Sequence, residues 1–282
     1  MKLARFSTGA SEQLGLVIGD GILPLSTLLP SAPTTMIGLI ERWEELAPEL
    51  ARLDNDGLVL PLDSVRLLAP VGAPRKIMGI GLNYADHASE SGLGTPAEQL
   101  WFSKPPTASN GPYDPIVLPR VSNQLDYEAE LVIVIGKRCR YADAKAAAGS
   151  IFGYCAGNDV SVRDWQFKTS QFILGKSFDG HAPHGPCIVT KDAIDPLNLD
   201  IACRVNGELR QSSNTSQLIY GPVEQVQYLS QVMTLEPGDL LFTGTPAGVG
   251  WARTPQSFLS PGDKVSVSIS GIGEILNEVV GE

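Results

Sequence analysis

The stretch "LDYEAELVIVIG", residues 125–136, decides how this chain is read. Its second half, Leu131 to Ile135, is the apolar, β-branched run expected of a buried strand. Alternate side chains of a strand share one face. Glu128 and Glu130 therefore lie side by side, roughly 6–7 Å apart at the backbone. The pattern alone leaves two readings open. The acids line a solvent face, or they are buried and need a compensating positive charge, because unpaired buried carboxylates are costly. Val132 and Val134 continue the same face and favour burial.

A third acid fits the pair. Asp159 ends "FGYCAGNDV" (152–160), where an apolar strand turns polar. Three converging carboxylates form a hard oxygen donor set of the kind that binds Mg²⁺, Mn²⁺ or Ca²⁺. His181-x-x-His184 with Cys187 offers a rival zinc set. "DGHAPHGPC" (179–187) is broken by Gly and Pro and has no companion motif, so zinc is not expected there.

Outward from this strand the chain alternates short strands with Gly/Pro turns. Gly 29 and Pro 21 in 282 residues favour strands and loops over a helical bundle. Asn206-Gly207 predicts a hairpin turn. Helices are expected over residues 34–53, with Thr34 or Thr35 as N-cap, over 144–151 and over 223–235. The Pro-rich segment 64–76 suggests a boundary. The expected fold is a β-rich α+β protein, with a small N-terminal α+β domain (1–70) and a main domain (71–282).

A net charge of −10 with no basic run makes nucleic acid and anionic membranes poor partners. Cys139, Cys155, Cys187 and Cys203 form no C-x-x-C pair and are expected as reduced thiols. "MKLARFSTGA" lacks an apolar signal core, and no apolar run reaches membrane-spanning length, so a cytoplasmic location is expected.

Seven separated stretches, in order, resemble the fumarylacetoacetate hydrolase (FAH) family. They are "GIGLNYADHASE" (79–90), "FSKPP" (102–106), residues 125–136, "GYCAGNDVSVRDWQ" (153–166), "GKSFDGHAPHGP" (175–186), "RQSSNTSQLIY" (210–220) and "LEPGDLLFTGTPAGVG" (235–250). The resemblance spans roughly residues 70–280. It implies a mixed β-roll catalytic domain, usually dimeric, behind a small N-terminal domain. It also implies a divalent metal, usually Mg²⁺ or Mn²⁺, at the positions of Glu128, Glu130 and Asp159. The buried reading of the two glutamates then holds.

The resemblance implies small diketo or 2-oxo acid substrates that chelate the metal. His87 is the expected general base, oriented by Glu90 three residues on if that segment is helical. "SGLGTP" (91–96) has the composition of a lid. Lys176 is expected to stabilise an enolate. Arg163 and Gln166 lie four and seven residues after Asp159, on one side of a helical turn, and are assigned to the substrate's distal end or carboxylate. Gly244 and Thr245 are expected to cradle a carboxylate. Lys104, Asn83 and Tyr84 are expected to fix loops around the site. The leading expectation is a metal-dependent hydrolase of a C–C bond in an acylpyruvate-like acid. The alternative is a decarboxylase of oxaloacetate-like acids or an isomerase of unsaturated 2-oxo-dioates. A binding protein without catalysis is the remaining class. A homodimer is expected by family habit.

Overall fold

A computed structural model describes residues 1–9, 11–52, 59–86 and 97–282. The strand Ala129–Ile135 runs through its centre, with every residue buried. Its neighbours are Ile151–Asn158 and Leu240–Phe242, both antiparallel to it. The alternation divides its side chains between two cores. Ala129, Leu131, Ile133 and Ile135 enter one apolar cluster, and Val132 and Val134 enter the other. A strand covered on both faces reads as a continuous apolar run, which is why residues 131–135 carry no polar member.

The large sheet is mixed and β-rich. Its path runs Leu60–Pro61, Gly21–Pro24, Glu12–Ile18, Lys2–Ser7, Ala182–Thr190, Ile151–Asn158, Ala129–Ile135, Leu240–Phe242, Ile77–Gly81, Leu100–Lys104. The Leu240–Phe242 and Ile77–Gly81 pair is parallel. A second sheet carries Glu208–Asn214, Asp200–Val205, Lys264–Ile269, Gly273–Gly281 and Ile116–Leu118. Its first hairpin turns at Asn206 (φ 52°) and Gly207 (φ 81°), as the dipeptide predicts.

The first seventy residues add their strands to the main sheet. Lys2 and Leu3 pair with Val189 and Ile188. Leu3, Leu14, Leu39 and Leu46 share a core with Val132, Val134 and Phe152. The helix expected over 34–53 is two helices, Met36–Glu41 and Trp43–Leu50, broken at Arg42. Arg42 has φ −100° and ψ 12°, outside the helical basin. Thr35 caps the first, accepting from the Gly38 N–H at 3.2 Å. All four cysteines are free thiols. Among the described residues no helix is long and apolar enough to cross a membrane.

Candidate active site

Two paired strands bring the acids together. Glu130 lies on the central strand, Glu128 just before that strand begins, and Asp159 just after the partner strand ends. The Asp159 N–H donates to the Glu128 carbonyl at 2.9 Å, so the antiparallel ladder itself sets the two acids opposite each other. Glu128, Glu130 and Asp159 are buried, and one ligand oxygen from each lies within 4.8 Å of the others. The Asn158 side chain accepts from the Glu128 N–H at 2.9 Å. The Gly244 N–H donates to Glu130 Oε2 at 2.7 Å. Gly244 has φ 97°, and a Cβ there would lie 2.7 Å from that of Asn83, so glycine is required.

Cations surround the acids. Lys176 Nζ bridges Glu128 Oε2 at 2.8 Å and Asp159 Oδ2 at 2.7 Å. Lys104 Nζ holds Asp159 Oδ1 at 2.6 Å and the Val160 carbonyl at 3.2 Å. Arg163 donates from Nε to Asp126 at 2.8 Å and from Nη1 to Glu128 at 2.7 Å and Gln166 at 2.8 Å. Four carboxylates thus face three cations. Burial raises Glu130 well above the ordinary carboxylate range, and the Asp159 and Glu128 charges push the same way. Burial opposes the charge on Lys176, but Asp159 and Glu128 outweigh it and raise its pKa. Burial dominates at Lys104 and lowers its pKa against the pull of Asp159.

These residues fit a hard divalent cation. The three acids offer oxygen ligands only, they are preassembled, and a cation among them would favour the ionised form of Glu130 that burial and its two acidic neighbours oppose. Among the described residues this is the one such group of acids, histidines or cysteines. The rival zinc set does not assemble. The His181 ring contacts the Val117 carbonyl at 2.8 Å and the His184 ring the Ala182 carbonyl at 3.1 Å. The Cys187 thiol faces the Ile272 carbonyl at 3.7 Å.

Glu128 and Lys176 bring the cluster to the wall of a cleft, while Glu130 and Asp159 lie behind that wall. Glu128, Arg163, Gln166 and Lys176 line it with Thr245. Phe102, Phe167, Phe172 and Trp251 line it too. The Phe102, Phe167 and Trp251 rings chain through edge and tilted contacts, with centroids 5.1–6.3 Å apart, by way of Phe172.

Several expected residues take more specific partners than the sequence foresaw. Asp159 is not on the helical turn of Arg163 and Gln166, because Ser161–Val162 is extended and the helix starts at Arg163. Arg163 is engaged with Asp126, Glu128 and Gln166. The Gly244 N–H is spent on Glu130. The Thr245 hydroxyl donates to the Ala129 carbonyl at 2.9 Å and accepts from Gln211 at 2.8 Å. Asn83 donates to the Tyr220 and Thr243 carbonyls at 3.0 and 2.7 Å. Tyr84 is buried and forms a bridge with Leu218. Asn83 and Tyr84 thus anchor the chain just before residue 87. His87, Glu90 and the 91–96 segment lie outside the described residues.

Sequence reasoning missed Asp126 and Trp251. Asp126 had a signal, since it stands two residues before Glu128 in the same alternation. Trp251 had none.

A family model described as fumarylacetoacetate (FAA) hydrolase, C-terminal, matches residues 76–280, and one described as Rv2993c-like, N-terminal, matches residues 1–70. The chain is 44% identical to a Bos taurus protein named oxaloacetate tautomerase FAHD2B, mitochondrial, over 99% of this chain and 92% of that one. It superposes on the fumarylacetoacetate hydrolase of Exiguobacterium antarcticum with a TM-score of 0.89 at 39% identity, covering all of both chains. It superposes on maleylpyruvate hydrolase from Sphingobium sp. SYK-6, solved with manganese(II) and pyruvate, with a TM-score of 0.84 at 36% identity. That match covers 100% of this chain and 99% of the other. With three-quarters of its length matched by the catalytic-domain model and relatives aligned end to end, the chain belongs to the fumarylacetoacetate hydrolase family.

Proposed function

We propose that this protein is a divalent-metal-dependent enzyme that interconverts the enol and keto forms of a small 2-oxo-dioate of the oxaloacetate type. The observation that carries the reading is the buried ring of Glu128, Glu130 and Asp159 with the Lys176 ammonium at its edge, which meets a small cleft through Glu128 and Lys176. Such an arrangement serves a substrate whose charge moves onto an enolate oxygen. The choice of tautomerisation among enolate reactions rests on the relative named oxaloacetate tautomerase, which aligns over 99% of this chain.

A divalent cation held by the three carboxylates supplies Lewis acidity toward the 2-oxo group. Lys176 presents an N–H donor where negative charge develops, and its fixed partners reduce the reorganisation needed. The aromatic rings that line the cleft lower its polarity and so strengthen these interactions. Ketonisation requires the enol oxygen to lose a proton and C3 to gain one, and enolisation is the reverse. His87, oriented by Glu90, is the proposed proton-transfer pair on the strength of the family resemblance. No water attacks, and no carbon–carbon bond breaks. Magnesium and manganese are the proposed ions.

Hydrolysis of an acylpyruvate-like acid, the leading expectation from sequence, becomes the second reading. The Sphingobium structure with manganese and pyruvate supports keeping it. The deciding experiment follows enol-oxaloacetate absorbance with Mg²⁺ or Mn²⁺, and with chelator, alongside a coupled assay for pyruvate. Metal-dependent ketonisation without pyruvate release supports the proposal. Pyruvate released stoichiometrically from an acylpyruvate, with no ketonisation above background, supports hydrolysis instead. Glu128→Gln turning over at the wild-type rate overturns both.

A further inference from the structure

Asp126 is wholly buried, yet neither the metal ring nor the proposed chemistry uses it. Its two oxygens receive four donors. Oδ1 accepts from the Tyr127 and Gly250 N–H groups at 2.9 and 2.7 Å. Oδ2 accepts from Arg163 Nε at 2.8 Å and from the Trp251 N–H at 2.9 Å. One carboxylate therefore joins the arginine that lines the cleft to the backbone turn that carries the cleft's tryptophan. The turn is built for this approach. A Cβ on Gly250 would lie 2.6 Å from Asp126 Oδ1 and 2.1 Å from the Ser257 carbonyl. The same link closes on the other side through Phe167. Its N–H donates to the Arg163 carbonyl at 3.1 Å, and its ring meets that of Trp251 at 5.1 Å.

We propose that Asp126 is a positioning residue that sets the width of the cleft, by holding Arg163 and Trp251 in one fixed relation, and so selects substrates by size. Free of Asp126, Arg163 loses the bond that fixes its Nε, and the Gly250 and Trp251 N–H groups lose their carboxylate acceptor. The charge-assisted bonds involved are the strong kind, and a small displacement of a substrate-facing wall is felt directly in binding. The selectivity part of this inference rests on the proposed tautomerase reading.

The test uses the manganese-loaded full chain and the isosteric variant Asp126→Asn, with Asp126→Glu as a second variant that keeps the charge. Trp251 emission is isolated as the difference between each protein and its Trp251→Phe counterpart, and its quenching by acrylamide is measured without substrate. Steady-state ketonisation is measured for oxaloacetate and for its 3-methyl derivative. The expected result is KM for oxaloacetate raised about tenfold with kcat changed less than about threefold, since uniform binding is what a displaced wall removes. Discrimination against the 3-methyl substrate falls, and Trp251 becomes more quenchable. Unchanged KM, selectivity and quenching in a folded variant overturn the proposal. So does a loss confined to kcat with Trp251 unmoved, or failure of both variants to fold, which would make Asp126 a residue of structure alone. If wild-type protein does not ketonise oxaloacetate, the functional reading fails. The quenching arm needs no substrate and still decides the link between Asp126 and Trp251.

Discussion

Lys104 and Asp159 form a fully buried ion pair, with Nζ 2.6 Å from Oδ1 and neither side chain exposed. Asp159 gives its other oxygen to Lys176. Each oxygen of one prospective metal ligand is thus held by a lysine, and the carboxylate cannot rotate freely. This follows from burial, because a carboxylate with an unpaired oxygen at this depth would be costly.

Removing Lys104 tests that account. Lys104→Met leaves Asp159 Oδ1 unpaired in the interior, and breaking a buried pair from one side costs about 3–5 kcal/mol. Urea unfolding of the metal-free protein measures it. A loss below about 1 kcal/mol, the value of a surface pair, would show that the pair is not structurally committed.

The metal ring should answer to chelation and to its ligands. Metal at about a hundredfold its Kd stabilises a folded protein by about 2.7 kcal/mol. Chelator should therefore lower the melting temperature of metal-loaded protein. Glu130→Gln should lose that response. Removing even an outer partner of a metal costs about 10–100-fold in affinity, and removing a ligand should reach the top of that range or pass it. Titration calorimetry with Mn²⁺ gives the affinity directly, and wild-type uptake by the variant contradicts the assignment.

Lys176 bridges Glu128 and Asp159, so its loss should separate the metal-free and metal-loaded states. In Lys176→Met the two carboxylates repel when no metal is present, and the metal-free protein melts lower than wild type. Added Mn²⁺ should then raise the melting temperature by more than it does in wild type, because the ion replaces the missing positive charge. Activity should fall at least about a hundredfold, the usual cost of removing a donor to a developing oxyanion. Equal thermal shifts in the two proteins would contradict the electrostatic account.

Acid should destabilise the fold through two histidines away from the ring. Burial lowers both His181 and His184 to about 4 from an ordinary 6.5. Each stays neutral in the fold and takes a proton on unfolding below 6.5. The stability they contribute is complete above pH 6.5 and drains as pH falls toward 4, at most on the order of 3 kcal/mol each. Unfolding free energies at pH 7 and pH 5 measure the loss. His184→Gln should flatten the profile, and a wild-type profile level across that window counts against it.

The sequence carries the local half of this protein. The Ala129–Ile135 strand, the Asn206-Gly207 hairpin, the helices around Leu46 and Val226, and the spacing of Glu128 and Glu130 are all legible, because they depend on periodicity and on turn chemistry within a few residues. The alternation even held Asp126, two positions ahead of Glu128. The sequence left open whether that face meets water, and the family resemblance resolved it.

What only the tertiary structure decides is which charges meet. Asp126 lies 37 residues from Arg163 and 124 from Gly250, and Lys104 lies 55 from Asp159. The first strand joins the sheet beside residues 188 and 189. No local period encodes such pairings. They are selected when the sheets close, because a buried carboxylate is stable only beside a partner and the chain has few folds that bring enough partners to one place.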